Sequence, residues 1–251
     1  IMSIDSLVNL YVSGHSISRL TAFGSNTIAL GRAAGLALIW VVICMLEGQM
    51  RPFFGIVTAS VLFITLIGSG SRGPFFSAFA IVVLLILEVN QDFSCFAWRI
   101  LPTVALMFGV TFGVARLPAL SVARLRDISG VVHGSASSVA ARLDHYRLAS
   151  ELIPKIPCGV GWGGFLNLLG VSGTDARGYV HNIILEIFLE AGWIAGILFT
   201  AMLMVSMFRA YQSRGTVEGK AVWNILAFLT INAMVSGDIN DNRLLFVFIG
   251  I

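Results

Sequence analysis

The chain has 251 residues, 57% of them hydrophobic and 12% charged, with a mean hydropathy of +0.89. A soluble domain carries about 25% charged residues, so this composition excludes an ordinary water-soluble fold and makes lipid the solvent. A net charge of +3, without basic residues interleaved among stacking aromatics, excludes a general nucleic-acid surface, while the gathering of basic residues between positions 116 and 177 points to a local anionic ligand.

From the N-terminus, Ile1 is followed by no charged segment with a cleavage site, so no signal peptide is expected. Apolar runs near the roughly 20 residues of a helical span fall at 28–47, 52–68, 74–90, 97–115, 181–208 and 221–236, and another begins at 243–251. They are continuous rather than alternating, which excludes barrel strands. The last run is too short to span, and both ends are expected to be cuts from a longer chain. The predicted fold is all-α: a polytopic transmembrane helical bundle, one membrane domain over 1–251. The long segment 117–180 is a large external loop between transmembrane helices, with Gly, Ser and Pro clusters and a short helix over 139–153. Cys44, Cys95 and Cys158 have no CxxC spacing and read as packing residues rather than a zinc site or a disulfide framework.

Positive charge in the short connections sets the orientation. Arg51, Arg99 and the trio Arg209, Arg214 and Lys220 fall in alternate short loops, which are assigned to the cytoplasm. By parity the segment before residue 28, the turn at 69–73, the loop 117–180 and the segment 237–243 lie outside. That external face carries Arg19, Arg72, Arg116, Arg124, Arg126, Arg142, Arg147, Lys155, Arg177 and Arg243, against the usual bias. Arginines kept against a topological preference suit an anion, because a guanidinium fork matches phosphate oxygens.

Four motifs on that face carry chemistry. The turn Gly68-Ser69-Gly70-Ser71-Arg72-Gly73-Pro74 frees backbone N–H groups beside a helix start, which suits an anion or, equally, an interfacial hairpin with a snorkelling arginine. His181 opens a span at a helix N-terminus, where the dipole disfavours the imidazolium. It reads as a general base or as a structural hydrogen-bonding residue. Asn182, Glu186 and Glu190 recur every fourth residue on one helical face, and a continuous helix carries Glu190 about 13 Å below His181 toward the bilayer middle. Glu190 is then a buried acid bonded to neighbouring helices or a proton-pathway residue. Third, Arg142 and Arg147, five apart and not bound to share a face, precede the glycine-rich turn Gly159-Val160-Gly161-Trp162-Gly163-Gly164. Last, Asp238 and Asp241 offer metal ligands or, more simply, caps and partners for Arg243.

Taken in chain order and on one face, the motifs resemble the O-antigen ligase family, which includes lipopolysaccharide O-antigen ligases, O-antigen polymerases and protein-glycosylating relatives. The resemblance runs from about residue 19 to the end. It rests on Ser71-Arg72-Gly73, an arginine ahead of a Gly-x-Gly turn, His181-Asn182 with Leu185-Glu186, Glu190 and Gly192, the late Ser236-Gly237-Asp238 with Asn242-Arg243, and Arg19 with Asn26. A bulky Trp162 in the glycine turn departs from the pattern, and either Arg142 or Arg147 can match the family's loop arginine.

The resemblance implies a multi-pass protein of the bacterial inner membrane with its active site facing the periplasm, of which this chain is the C-terminal part, lacking the early spans. It implies a glycosyltransferase moving a glycan from a polyprenyl (undecaprenyl) diphosphate carrier to an acceptor hydroxyl, the lipid A core in a ligase or another lipid-linked repeat in a polymerase. Arg19, Arg72 and Arg142 then bind the diphosphate and His181 accepts the acceptor's proton, with Asn182, Glu186, Glu190 and Arg147 in support. No cofactor and no metal are implied; the partners are the donor, the acceptor and the bilayer, with no nucleic acid. The competing readings are a transporter or channel, motivated by Glu186 and Glu190 within a span, and a non-catalytic assembly partner.

Overall fold

The computed structural model describes residues 27–88, 138–169 and 179–250. The predicted span 97–115, Arg19, Asn26 and Cys95 lie outside them. All regular structure among the described residues is helical, as the sequence predicts. The helices are α1 (Thr27–Leu46), α2 (Pro52–Gly68), α3 (Arg72–Glu88), α4 (Ser138–Leu152), α5 (Gly164–Leu168), α6 (Ile183–Glu190), α7 (Gly192–Ser213), α8 (Val217–Val235) and α9 (Arg243–Ile249), with short 3-10 turns at Ile153–Lys155 and Asn240–Asn242.

Local chemistry explains the boundaries. After α1 the chain reverses at Gly48, whose φ of 70 suits glycine, and Gln49 N–H donates to the Cys44 carbonyl. Pro52 then fills the first position of α2, where a missing N–H costs no intrahelical bond. Thr216 caps α8 by accepting from Gly219 N at 3.0 Å. Lys220, in the first turn of α8, pairs with Glu47, so the connection at 47–51 and the start of α8 meet at one end of the bundle.

The central helix is α1, packed against α2, α3 and α8. Leu38, Ile39, Ile43, Leu66, Ile81, Leu85 and Phe228 fill the core between them. Among the described residues two helices, Thr27–Leu46 and Gly192–Ser213, are long and apolar enough to cross a membrane. Their burial differs: 67% of the apolar window of α1 is covered inside the structure and only 22% of that of α7. On α7, Ile194, Ile197, Leu198, Met204, Val205 and Phe208 point outward. An apolar surface of that extent is a liability in water and ordinary against lipid tails.

The predicted span 181–208 is corrected. It is two helices, α6 and α7, broken at Ala191–Gly192. Gly192 has φ 87, and a Cβ there would sit 2.7 Å from the Pro157 carbonyl oxygen. The glycine turn of the preceding loop uses the break: Val160 N and Gly161 N donate to the carbonyls of Leu189 and Glu190, and Trp193 N donates to Pro157 O, all within 3.0 Å. The helix end that a continuous span would have hidden is thereby satisfied from the loop. Glu190 consequently sits against that turn and not on a helix descending toward the bilayer middle.

At the end of the bundle opposite the Glu47–Lys220 pair, Arg32 is buried within α1. Its Nη1 donates to Asp241 O at 2.6 Å and its Nη2 to Ser236 O at 2.7 Å. Gly237, at φ 81, makes room: a Cβ there would meet Arg32 Nη2 at 2.6 Å. Gly237→Ala should therefore destabilise the protein by about 2 kcal/mol or more, since the left-handed backbone alone costs a non-glycine residue about 1–2 kcal/mol. Gly215, with open space around its Cβ position, is the control. Thermal melting in detergent should show a lowered midpoint for Gly237→Ala and almost none for Gly215→Ala; equal shifts would contradict the packing described.

Candidate functional site

Helix α4 presents Arg142, His145, Tyr146 and Ala149 at intervals of three and four residues, hence on one face. Ala149 is fully buried, and with Phe165, Val180 and Leu189 it forms a small core separate from the main bundle. That core docks α4 against α6 and against the segment leading into it. Arg147, the alternative loop arginine, is on the exposed face of α4, whereas Arg142 is half-buried with its Nε enclosed. A stripe at 142, 145, 146 and 149 was present in the sequence and separates the two arginines.

The site forms where this face meets Tyr179 and His181. The His181 ring stacks on His145, with centroids 5.9 Å apart and planes at 14°, and also meets the Tyr179 ring, tilted at 52° with centroids 4.1 Å apart. His145 in turn meets Phe165 edge-on at 5.3 Å. Its Nδ1 lies 3.2 Å from Tyr179 O. A carbonyl only accepts, so that nitrogen carries the hydrogen.

His181 precedes the cap of α6. Asn182 is that cap: its Oδ1 accepts from Ile184 N at 3.1 Å and Leu185 N at 3.2 Å. Among the described residues His181 is the one non-glycine residue with positive φ, at 65. Burial, the Arg142 guanidinium and then His145 pull its imidazole down from 6.5 to about 4. The helix dipole invoked from the sequence acts in the same direction, but desolvation is the larger cause. Burial also pushes the Tyr146 and Tyr179 hydroxyls up, so both stay protonated donors at neutral pH.

The other predicted residues have distinct places. Glu186 is buried, accepts from Ile239 N at 3.3 Å through Oε1, and has Oε2 enclosed without a hydrogen bond among the described residues. Glu190 accepts from Gly163 N at 3.0 Å, which makes it a brace for the glycine turn. Arg72 opens α3 at this end of the bundle; its neighbour Gly73 lies against Val235, Asn232 and Ser236. Its guanidinium makes no hydrogen bond or ion pair with the described residues. Asp238 Oδ1 accepts from Asp241 N at 2.7 Å, within the 3-10 turn at Asn240–Asn242. The predicted pairing of Arg243 is revised, since its Nε donates to the Asn240 carbonyl and not to an aspartate. No group of three or more His, Cys, Asp and Glu side chains suited to a metal occurs among the described residues.

Sequence reasoning missed Arg32 and assigned no role to Tyr146. Arg32 is the lone charge inside an apolar run, which is itself a functional signal in a membrane helix. Tyr146 donates from one hydroxyl shared between His181 O and Met234 O, each at 3.1 Å.

The arrangement holds an imidazole neutral beside a guanidinium, a group able to accept a proton next to one able to pair with an anion. Arg142 Nε, His181 Nδ1 and Glu186 Oε2 are all buried without hydrogen-bond partners among the described residues, which marks the region as built for polar groups. Histidine-selective NMR should find His181 titrating near about 4, its ring neutral above and charged as pH falls through that value. Arg142→Gln removes a repelling charge and should move the midpoint upward. A midpoint near 6.5 in the folded protein would contradict the burial described.

A family model described as O-antigen ligase matches residues 57–200, more than half of the chain. The match takes in Arg72, Arg142 and His181 and leaves Arg32 and the segment 236–242 outside it. No curated protein matches the chain.

Proposed function

The chain belongs to the O-antigen ligase family, whose members are membrane glycan transferases, and we propose that it transfers a glycan from a polyprenyl diphosphate carrier to an acceptor hydroxyl at the site around His181. The observation that carries this reading is the juxtaposition of His181, neutral at physiological pH, with the half-buried Arg142.

In the proposed reaction the acceptor oxygen attacks the anomeric carbon while the bond from that carbon to the diphosphate oxygen breaks, its electron pair leaving with the lipid diphosphate. The acceptor proton passes to His181. Negative charge grows on the diphosphate as the bond breaks, and fixed guanidinium donors stabilise it more in the transition state than in the ground state. Arg142 holds this role beside the base; Arg72, at the same end of the bundle, and Arg19 are assigned to the rest of the diphosphate. Asn182 and Glu186 act in support through α6, Asn182 by capping it and Glu186 by joining it to the 236–242 segment. Glu190 shapes the glycine turn. Arg147, the alternative loop arginine, lies on the exposed face of α4 and is given no part in holding the diphosphate. In-line attack inverts the anomeric centre, so the product linkage should be opposite in configuration to the donor; an NMR spectrum showing retention would count against single displacement.

The site is assigned to the periplasmic face of the bacterial inner membrane, in a multi-pass protein, by the charge of the connections that the Glu47–Lys220 pair joins at the other end. Ligase and polymerase share this chemistry and differ in acceptor, lipid A core for one and a second lipid-linked repeat for the other, and the assay offers both.

Full-length protein, reconstituted with a polyprenyl-diphosphate glycan and each acceptor, should release lipid diphosphate and form one product. His181→Ala should slow transfer by about 100-fold or more, the usual contribution of a positioned base. Arg142→Ala should act in the same direction, and Arg147→Ala should stay within about twofold of wild type, as surface substitutions do. Full activity in folded His181→Ala and Arg142→Ala would remove the reading.

A further inference from the structure

His181 has a backbone that histidine does not adopt freely. Its φ of 65 lies in the left-handed region, and none of the other described non-glycine residues shares it. Such a conformation persists only where surrounding contacts over-determine it, and strained positions of this kind gather at functional sites. The contact that meets the strained residue's own carbonyl is the Tyr146 hydroxyl, 3.1 Å from His181 O and 3.1 Å from Met234 O. Asn182 fixes the chain on the other side by capping α6.

We infer that Tyr146 is a positioning residue for transfer: its hydroxyl, shared between His181 O and Met234 O, holds His181 in its left-handed backbone and so keeps the imidazole against His145 and Arg142. The inference rests on the proposed role of His181 and goes beyond it by assigning a residue that does not touch substrate. One face of α4 thus has a division of labour. Arg142 acts on charge, His145 stacks on the ring, and Tyr146 sets the backbone from which that ring projects. The second acceptor, Met234 O, belongs to the last turn of α8, so the same hydroxyl references His181 to the bundle and not only to the loop. The hydroxyl stays a donor throughout the neutral range, because burial pushes it above the ordinary tyrosine range.

Tyr146→Phe removes one oxygen and keeps the ring, so it is the cleanest probe. In the full-length protein, kcat, KM for the polyprenyl-diphosphate glycan and the melting midpoint are measured for wild type, Tyr146→Phe, His181→Ala and the double variant. A base displaced by a fraction of an ångström loses about ten- to a hundredfold in rate, so Tyr146→Phe should lower kcat by about that factor with KM and melting midpoint near wild type. In the His181→Ala background the same change should cost nothing further, because Tyr146 acts through His181. A wild-type kcat for Tyr146→Phe, a loss matched by loss of folded protein, or an equal further loss in the His181→Ala background would each overturn the inference. Full activity in His181→Ala would defeat the catalytic reading and this inference with it. An inactive His181→Ala beside a fully active Tyr146→Phe would defeat the inference alone.

Discussion

A guanidinium buried in an apolar helix has to meet oxygen, and Arg32 meets it on two carbonyls contributed by a distant part of the chain, Ser236 O and Asp241 O. Isolated charge in such surroundings is costly, so this contact dictates what lies around it. The end of α8 must stop where its Ser236 carbonyl can point at α1. Residue 237 must lack a side chain, and the chain must turn back tightly enough to bring Asp241 into reach. Once that segment is fixed, Ile239 N is available to Glu186 and Met234 O to Tyr146. Helices α6 and α4 are thereby referenced to the same point, and His181 stands between them.

A second constraint acts from the loop side. The break between α6 and α7 leaves helix-end carbonyls in need of donors, and the glycine turn at 159–163 supplies them through Val160 and Gly161. The approach is backbone against backbone: a Cβ on Gly159 would lie 2.4 Å from Glu190 O. Glu190 adds a side-chain bond to Gly163 N, which puts an ionisable group to structural use. The turn and helix α5 carry Phe165 onto His145, so the packing that closes the helix break also supports the ring stacked on His181. Bundle and loop therefore converge on one imidazole from two independent directions.

Much of the fold was legible because hydropathy and punctuation agree. The runs 28–47 and 52–68 match α1 and α2 to within a residue, since Gly48 and Pro52 end one helix and begin the next. The short helix read at 139–153 matches α4 in the same way. What hydropathy could not see is the break after Glu190, because Ala191 and Gly192 are as apolar as a span requires and only contact with Pro157 and Cys158 reveals the reversal. Arg32 was lost for the related reason that one charge disappears inside an apolar average. At the site, His181 and Asn182 stood out by type and position. That Arg142 lies inward and Arg147 outward follows from the face shared with His145, Tyr146 and Ala149, a periodicity carried by mixed polar and apolar residues that an apolar count does not register.

The central claim is that donor diphosphate and reacting sugar meet between Arg142 and His181, on the face of α4 that Tyr146 ties to the bundle. The most direct test is a cryo-EM structure of the full-length protein with a non-transferable polyprenyl-diphosphate glycan analogue. The account predicts diphosphate oxygens within hydrogen-bond reach of the Arg142 guanidinium, with the anomeric carbon facing the His181 ring. A headgroup seated elsewhere, for instance at the end of the bundle closed by Glu47 and Lys220, with Arg142 and His181 untouched, would contradict it.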